Sequence, residues 1–286
     1  MIRLAVRCRP EQAELVLAEL VQLAPGGVEE EAGRGWVEYA IYGAEGELPD
    51  LGDVEAAAGD GLVEVRSEQI PDDWADRWRD FHEPTVIADG RVVIRPSWRE
   101  NPILHPVGHL RCAPEPTGID VVIDPGQAFG TGAHPTTRMC VELLLGLADR
   151  GAATGALVDL GTGSAALAIV AAKLGFAPVA GVDLELPALE AARANADRNG
   201  VALALERLNL REQSPPAAPT LVANLTGPLL REVAARLPES CTRLVCSGLL
   251  AREVEAVAGA FGAAGLIVCE RLDSGDWSAL LLERRS

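Results

Sequence analysis

Residues 156–183, ALVDLGTGSAALAIVAAKLGFAPVAGVD, decide the fold of this 286-residue chain. A short apolar segment ends in a glycine turn at 161–163, an apolar stretch of helical length follows, and a second apolar segment ends at Asp183. This alternation predicts strand, helix and strand, with both strands parallel in one sheet. Open sheets of this kind bind ligands at the carboxyl ends of their strands, which is where the glycines and Asp183 are expected.

The same alternation continues toward the C-terminus. Strands are predicted at LALERL (203–208), TLVANL (220–225) and RLVCSG (243–248), and helices are predicted from residues 187, 228 and 251. The last segment, 265–285, contains two strand patterns around a Ser-Gly-Asp turn and predicts a hairpin, so one edge strand should run antiparallel. The pattern predicts an α/β fold with a doubly wound, mostly parallel sheet covered on both faces.

The part of the chain before this sheet divides into two further regions. Residues 1–66 alternate strand and helix patterns and predict a small ferredoxin-like α+β domain of βαββαβ order. Residues 67–118 are rich in Trp, Pro and charge, which predicts a linker, with Trp74, Trp78 and Phe81 on one helical face. Residues 119–286 form the predicted catalytic domain.

Charge and composition limit the classes of partner. The formal charge is −17, from 42 acidic and 25 basic residues, with most of the acidic excess in residues 1–118. Nucleic-acid binding through phosphates is disfavoured, and a basic protein partner fits better. The six cysteines form no C-x-x-C pair and the four histidines are scattered, so no metal site is expected. Without a signal or membrane-span pattern, the chain is expected in the cytoplasm.

The glycine turn and Asp183 predict a site for an adenosine-containing cofactor. Gly161 and Gly163 let a ligand approach the backbone closely, and the Asp183 carboxylate can accept both ribose hydroxyls. NAD and S-adenosylmethionine share these requirements, and the turn also matches the dinucleotide pattern G-x-G-x-x-A. Asp159, just before the glycines, favours S-adenosylmethionine because a carboxylate would repel a pyrophosphate but attract an ammonium or sulfonium.

Two further stretches hold candidate site residues. Asn224, at the end of a predicted strand, can accept N–H bonds from a substrate amine and aim its lone pair at a methyl donor; alternatively, it caps the next helix. The loop DPGQAFGTGAHPTT, 124–137, contains Phe129 and His134 and suits a flap over a cofactor, while Thr136 or Thr137 is expected to cap the helix that follows. His134 is a weaker candidate for a base.

Four motifs closely resemble the bacterial PrmA family, whose members methylate a large-subunit ribosomal protein at the stalk base. They are DPGQAFGTGAHPTT, VDLGTGSAALAI, GVDLELPALEAARANADRNGV and VANLTGPLL, in that order. The resemblance covers about residues 70–286 well and the first domain more loosely; in that family the first domain recognises the protein substrate. It implies a class I methyltransferase fold.

The resemblance also implies which residues contact the methyl donor. The family's contact positions match Thr137, Gly161, Asp183 and Asn224. Thr137 is assigned by the resemblance alone, whereas the residue patterns above also indicate the other three. Ala165 departs from the family's usual glycine, and its methyl group is expected to crowd the donor or shift the turn.

The sequence therefore predicts a protein N-methyltransferase that moves a methyl group from S-adenosylmethionine to lysine or N-terminal amines of a ribosomal protein. Two alternatives stay open at this point. One is an NAD-dependent oxidoreductase that uses the same glycine turn. The other is a protein that binds the methyl donor or the ribosomal protein without catalysis.

Overall fold

The computed structural model describes residues 2–13, 16, 29–33, 35–43, 62–69, 82–103, 118–124 and 132–284. The chain separates into two compact units, Met1–Phe81 and His82–Ser286. In the described residues, the first unit contains one sheet and the second contains two, and each unit has its own buried residues. The candidate site residues that the sequence predicts all belong to the second unit.

The first unit is built on a four-stranded antiparallel sheet. Its strands are β1 (Ile2–Cys8), β2 (Glu29–Gly33), β3 (Trp36–Gly43) and β4 (Leu62–Gln69), in the order β2-β3-β1-β4. Leu4, Val6 and Ile41 are buried on this sheet. A short 3-10 helix, Pro10–Gln12, follows β1. Most of the predicted helical stretches lie outside the described residues, so the ferredoxin-like assignment stays a prediction.

The second unit begins with a small three-stranded sheet. It contains β5 (Thr85–Ile87), β6 (Val92–Arg95) and β7 (Ile119–Val122), in that order, with β5 antiparallel and β7 parallel to β6. Two of these strands come from the predicted linker, whose aromatic face at Trp74, Trp78 and Phe81 lies outside the described residues.

The main sheet has seven strands in the order β10-β9-β8-β11-β12-β14-β13. The strands are β8 (Leu157–Leu160), β9 (Val179–Asp183), β10 (Ala204–Arg207), β11 (Thr220–Asn224), β12 (Arg243–Leu250), β13 (Leu266–Ser274) and β14 (Trp277–Arg284). The helices are α1 (Pro135–Asp149), α2 (Ala166–Leu174), α3 (Leu186–Arg198), α4 (Gly227–Ala235) and α5 (Val254–Ala263), with a 3-10 turn at Ala251–Glu253. The predicted doubly wound α/β fold is confirmed.

The terminal hairpin is also confirmed, but the reversed strand is not the edge strand. β14 pairs antiparallel with both β12 and β13, so β14 lies between them and β13 is the edge strand. β13 therefore runs in the same direction as β12 and the other parallel strands. The hairpin places its second strand against β12 because that strand carries the apolar run Ala279–Leu282, which is fully buried there, whereas most of β13 is exposed.

Two apolar clusters cover the faces of the main sheet. One contains Leu143 of α1 and Ile169 of α2 together with residues of the small sheet, and the other contains Leu230 of α4 and Phe261 of α5. The chain winds outward from β8 through β9 to β10, and in the other direction from β11 to β12. The switch point, where ligands of such sheets bind, therefore lies between β8 and β11. Within the described residues, no helix is long and apolar enough for a membrane span.

Candidate functional site

The glycine turn between β8 and α2 lies at the switch point of the main sheet. Gly161, Gly163 and Ala165 all have left-handed backbone conformations, with φ of 69°, 52° and 64°. A Cβ on Gly161 would lie 2.5 Å from the Leu225 Cδ2 atom. Because glycine has no side chain, the chain turns sharply beneath Leu225 and presents its backbone at the sheet edge. This geometry suits a loop that holds a ligand close to its backbone.

Ala165 stands where the resemblance implies glycine. The residue is fully buried within the apolar cluster that contains α1 and α2 residues. A left-handed alanine costs roughly 1 kcal/mol relative to glycine. Because the methyl group packs into the core, the cost of this substitution lies in backbone strain within the turn.

Asp183 ends β9, beside the glycine turn. Its Oδ2 accepts a hydrogen bond from the Gly163 N–H at 2.9 Å, and its Oδ1 accepts one from the Glu185 N–H at 3.0 Å. A carboxylate has about four acceptor sites, so this half-buried group keeps capacity for hydroxyl donors. The structure thus brings Gly163 and Asp183 together at one edge of the sheet.

Asp159 lies beneath the turn and is 1% exposed. Its Oδ2 accepts hydrogen bonds from the Thr162 hydroxyl at 2.9 Å and from the Ala168 N–H at 3.2 Å. Burial raises the pKa of Asp159 to about 7, and the negative charge of Asp183 acts in the same direction. A nearby cation would favour the charged form of this carboxyl group, whereas a phosphate would oppose it.

Asn224 and Thr137 meet at the same edge from distant parts of the chain. The Asn224 Nδ2 donates to the Thr137 Oγ1 at 3.3 Å, and Thr137 is 1% exposed. The helix-capping alternative for Asn224 is not supported, because the N-cap position of α4 belongs to Thr226. The half-buried amide of Asn224 therefore borders the switch point, one strand away from the glycine turn.

His134, rather than either threonine, caps helix α1. Its Nδ1 accepts from the Thr136 N–H at 3.4 Å, and Pro135 occupies the first helical turn, where proline is favoured. The ring packs edge-on against Trp277 with centroids 5.0 Å apart, and burial lowers the pKa of His134. The His134 side chain thus supports the start of the helix that contains Thr137.

Phe129, the remaining predicted donor contact, lies outside the described residues, as does the segment 125–131 around it. Within the described ranges, no three His, Cys, Asp or Glu side chains come together in a way that could hold a metal ion.

Sequence reasoning missed Asn195, a buried polar residue of α3. Its Nδ2 donates to the Ser164 carbonyl of the glycine turn at 3.0 Å. The residue lies at helical spacing on the buried face that includes Ala188 and Ala192. A lone amide on an otherwise apolar helix face was the signal that would have identified it, because buried amides need partners.

Comparisons with known proteins agree with the motif resemblance. The profile of the family described as ribosomal protein L11 methyltransferase (PrmA) matches residues 47–285. The ribosomal protein L11 methyltransferase of Shewanella halifaxensis is 41% identical over 219 residues, which cover 74% of this chain and 69% of that protein. The protein of the same name from Symbiobacterium thermophilum is 33% identical over 282 residues, covering 92% and 84%.

A solved structure shows the same relationship. The crystal structure of ribosomal protein L11 methylase from Lactobacillus delbrueckii subsp. bulgaricus aligns with a TM-score of 0.57 and 26% sequence identity, over 68% of this chain and 96% of that chain. Because the profile match and the relatives extend over most of its length, the chain belongs to the PrmA family of ribosomal protein L11 methyltransferases.

Proposed function

We propose that this chain transfers methyl groups from S-adenosylmethionine to lysine or N-terminal amines of ribosomal protein L11. The observation that carries this proposal is the convergence of candidate groups at the carboxyl ends of neighbouring strands. The glycine turn follows β8, Asp183 ends β9, and Asn224 ends β11 beside Thr137. The names of the relatives supply the substrate and the reaction.

The residues present fit S-adenosylmethionine. Asp183 has acceptor capacity for the ribose hydroxyls, and Gly163, whose N–H it holds, has no side chain to keep the donor from the backbone. Asp159, under the turn, favours a cationic amino-acid portion over a pyrophosphate. Phe129 stays a predicted contact. When bound, S-adenosylmethionine supplies a methyl group made electrophilic by its sulfonium.

Asn224 is assigned to positioning the amine. An amide oxygen at the switch point accepts an amine N–H and aims the nitrogen lone pair at the methyl carbon. The new C–N bond forms as the C–S bond breaks, its electron pair stays on sulfur, and the amine proton passes to solvent. Deprotonating a free lysine near pH 7 costs about 4 to 5 kcal/mol, which desolvation beside a cation reduces. His134 need not act as a base, since it caps α1.

Residues 1–66 are proposed to recognise the ribosomal protein, and residues 119–286 are proposed to catalyse methyl transfer. Residues 67–118 are proposed to link these two domains. The net charge of −17, concentrated in the front part, suits a basic protein partner. A cytoplasmic location follows from the proposed substrate.

The experiment that tests the proposed function is isothermal titration of the purified chain with S-adenosylmethionine, S-adenosylhomocysteine and NAD. We expect binding of the first two and none of NAD. Saturable NAD binding with no affinity for either sulfur compound would favour the oxidoreductase alternative. Donor binding without any turnover on L11 would favour the non-catalytic alternative.

A further inference from the structure

Asn195 joins the glycine turn to a second loop of the same unit. The side chain is 2% exposed, and its Nδ2 donates to the Ser164 carbonyl at 3.0 Å. Its Oδ1 accepts from the Asp124 N–H at 3.4 Å and from the Arg198 guanidinium at 3.1 Å. Both ends of one buried amide are therefore engaged, and one of them holds the turn.

The far side of this contact is itself anchored. The Asp124 carboxylate accepts from the Ser97 N–H at 2.7 Å and from the Ser97 hydroxyl at 3.0 Å, and it pairs with Arg198 at 3.1 Å. Asn195 thus connects the turn to a hydrogen-bonded network that includes the loop after β6. A network with both ends occupied fixes the orientation of its members.

The turn needs such an anchor because of its own composition. Ser164 lies between Gly163 and Ala165, both of which have a left-handed backbone. Glycine adopts this conformation freely, whereas alanine is strained in it and keeps it only where the surroundings hold it. The Gly163 peptide supplies the N–H that holds Asp183. A change in the orientation of the Ser164 carbonyl would therefore reach the Asp183 carboxylate through the backbone of only two residues, Gly163 and Ser164.

We propose that Asn195 is a positioning residue for methyl-donor binding, which acts by holding the Ser164 carbonyl and so the Gly163–Asp183 pair. The proposal rests on the proposed function, since it concerns the same donor site. It assigns no contact between Asn195 and the donor. The residue sets donor affinity through the turn, and it leaves the affinity for the protein substrate unchanged.

Asn199, one helical turn later, is a matched control. Its Nδ2 donates to the Val122 carbonyl at 2.7 Å, and its Oδ1 accepts from the Val122 N–H at 2.9 Å and from Lys173 at 3.1 Å. Asn199→Ala removes partly buried side-chain hydrogen bonds at the C-terminal end of the same helix. Those bonds go to β7, to α2 and to the Asn195 backbone carbonyl at 2.8 Å, and none that the structure describes goes to the glycine turn, so their removal should cost fold stability without a direct effect on the turn.

The test compares Asn195→Ala, Asn195→Asp and Asn199→Ala in the full chain. The Asp variant keeps an acceptor for the Asp124 N–H, with Arg198 beside its charge, and lacks the N–H that Ser164 receives. We measure the dissociation constant of S-adenosylhomocysteine, the KM for S-adenosylmethionine and for L11, and the thermal unfolding midpoint. We expect both Asn195 variants to lose donor affinity about tenfold with the L11 KM unchanged, and Asn199→Ala to stay within about twofold on donor affinity.

Two results would overturn the proposal alone. One is donor affinity within twofold of wild type in both Asn195 variants. The other is an equal loss in Asn199→Ala, which would attribute the effect to general destabilisation. If the wild-type chain binds no S-adenosylmethionine, the proposed function and this inference both fail, so the two failures are distinguishable.

Discussion

Among single residues, Asp183 is the carboxylate at the sheet edge that can still accept hydrogen bonds from the methyl donor's ribose. It already holds the N–H groups of Gly163 and Glu185, and a ribose would add two charge-assisted hydrogen bonds. We predict that Asp183→Ala weakens S-adenosylhomocysteine binding by about 1 to 3 kcal/mol. Calorimetric titration measures this loss directly. Asp183→Asn keeps one oxygen and should lose less; an alanine variant with wild-type affinity would remove Asp183 from the site.

Asn224 should affect turnover more than binding. Because its amide is assigned to the reacting amine, Asn224→Ala is expected to lower kcat by about a hundredfold or more, with the donor dissociation constant changed only a few-fold. Steady-state kinetics with L11, paired with donor titration, separates the two effects. Thr137→Val removes the hydroxyl that holds Asn224 and serves as the comparison, with a smaller loss of kcat. Parallel losses of kcat and affinity in Asn224→Ala would indicate donor binding alone.

Asp159 predicts a pH dependence of stability. Its folded-state pKa is about 7, above its ordinary value of 3.8, so the folded state holds this proton more tightly than the unfolded chain. The contribution to stability is present at low pH and is lost as pH rises from about 4 through 7. We expect Asp159→Asn to be more stable relative to wild type at pH 8 than at pH 4.5, by on the order of a few kcal/mol. Urea unfolding at the two pH values measures this.

A pH-independent difference between Asp159→Asn and wild type would contradict that assignment. Donor binding gives a second readout, because a cation near the carboxyl group lowers its pKa and releases a proton. Titrations at pH 7 in buffers of different ionisation enthalpy should therefore detect proton release in wild type and less in Asp159→Asn.

Some of these residues were predictable and others were not. Gly161, Asp183 and Asn224 each end a strand pattern, and parallel strands bring their carboxyl ends to one edge, so their placement follows from local sequence. The Asn224–Thr137 hydrogen bond joins positions 87 residues apart and depends on strand order, which no local pattern states. The lone amide of Asn195 on an apolar helix face indicates a buried hydrogen-bond partner, but the local sequence does not indicate that this partner is the Ser164 carbonyl.

Among the elements of the main sheet, the positions of the strands and helices along the chain could be predicted from the alternation of apolar segments. Which strands pair with each other could not be predicted in this way. The hairpin at the C-terminus was predictable from its turn, but the insertion of β14 beside β12 required knowing which strand is more buried. The cap of α1 was misassigned to a threonine. Pro135 was the available signal, since proline at the start of a helix places the cap one residue earlier.

Gly248 connects two elements, and its substitution tests their packing. It lies at the irregularity in β12, has φ of 82°, and a Cβ there would lie 2.5 Å from the Leu225 carbonyl oxygen. We predict that Gly248→Ala lowers the free energy of unfolding by at least about 2 kcal/mol and also weakens donor binding, since Leu225 covers Gly161. Denaturant unfolding and donor titration measure the two effects.

Gly262→Ala is the control for that substitution. Gly262 lies in α5, and in the part of the chain that the structure describes, no atom outside the helix backbone and the neighbouring residues comes within 4 Å of the place that a Cβ would take. Alanine should therefore stabilise the helix by up to about 1 kcal/mol and leave donor binding unchanged. A Gly248→Ala protein as stable as wild type would show that the contact between β12 and Leu225 is not tight.

In the whole molecule, we predict that the first unit recognises L11 and the second unit binds the methyl donor and catalyses the transfer. All described donor-site groups belong to His82–Ser286, and the acidic excess is concentrated in the front part. A chain that begins at His82 should bind S-adenosylhomocysteine with wild-type affinity but lose most activity on intact L11. Circular dichroism checks that it folds. Undiminished activity on L11 would assign recognition to the second unit.

Salt supplies an independent check on the full chain. Complementary charge mainly raises the rate of association. Added salt screens this attraction, since the Debye length is already only about 8 Å at physiological ionic strength and shortens further as salt is added. Methylation of L11 at low substrate concentration should therefore fall with ionic strength while donor affinity changes little. A rate independent of salt would exclude charge as the basis of recognition.

Methyl transfer itself is tested by the intact mass of L11 after incubation with the 286-residue chain and S-adenosylmethionine. We predict that the mass of L11 rises by whole methyl groups, that this rise depends on the donor, and that it is strongly reduced in Asn224→Ala. An L11 mass that stays unchanged while the folded chain binds S-adenosylmethionine would contradict this prediction.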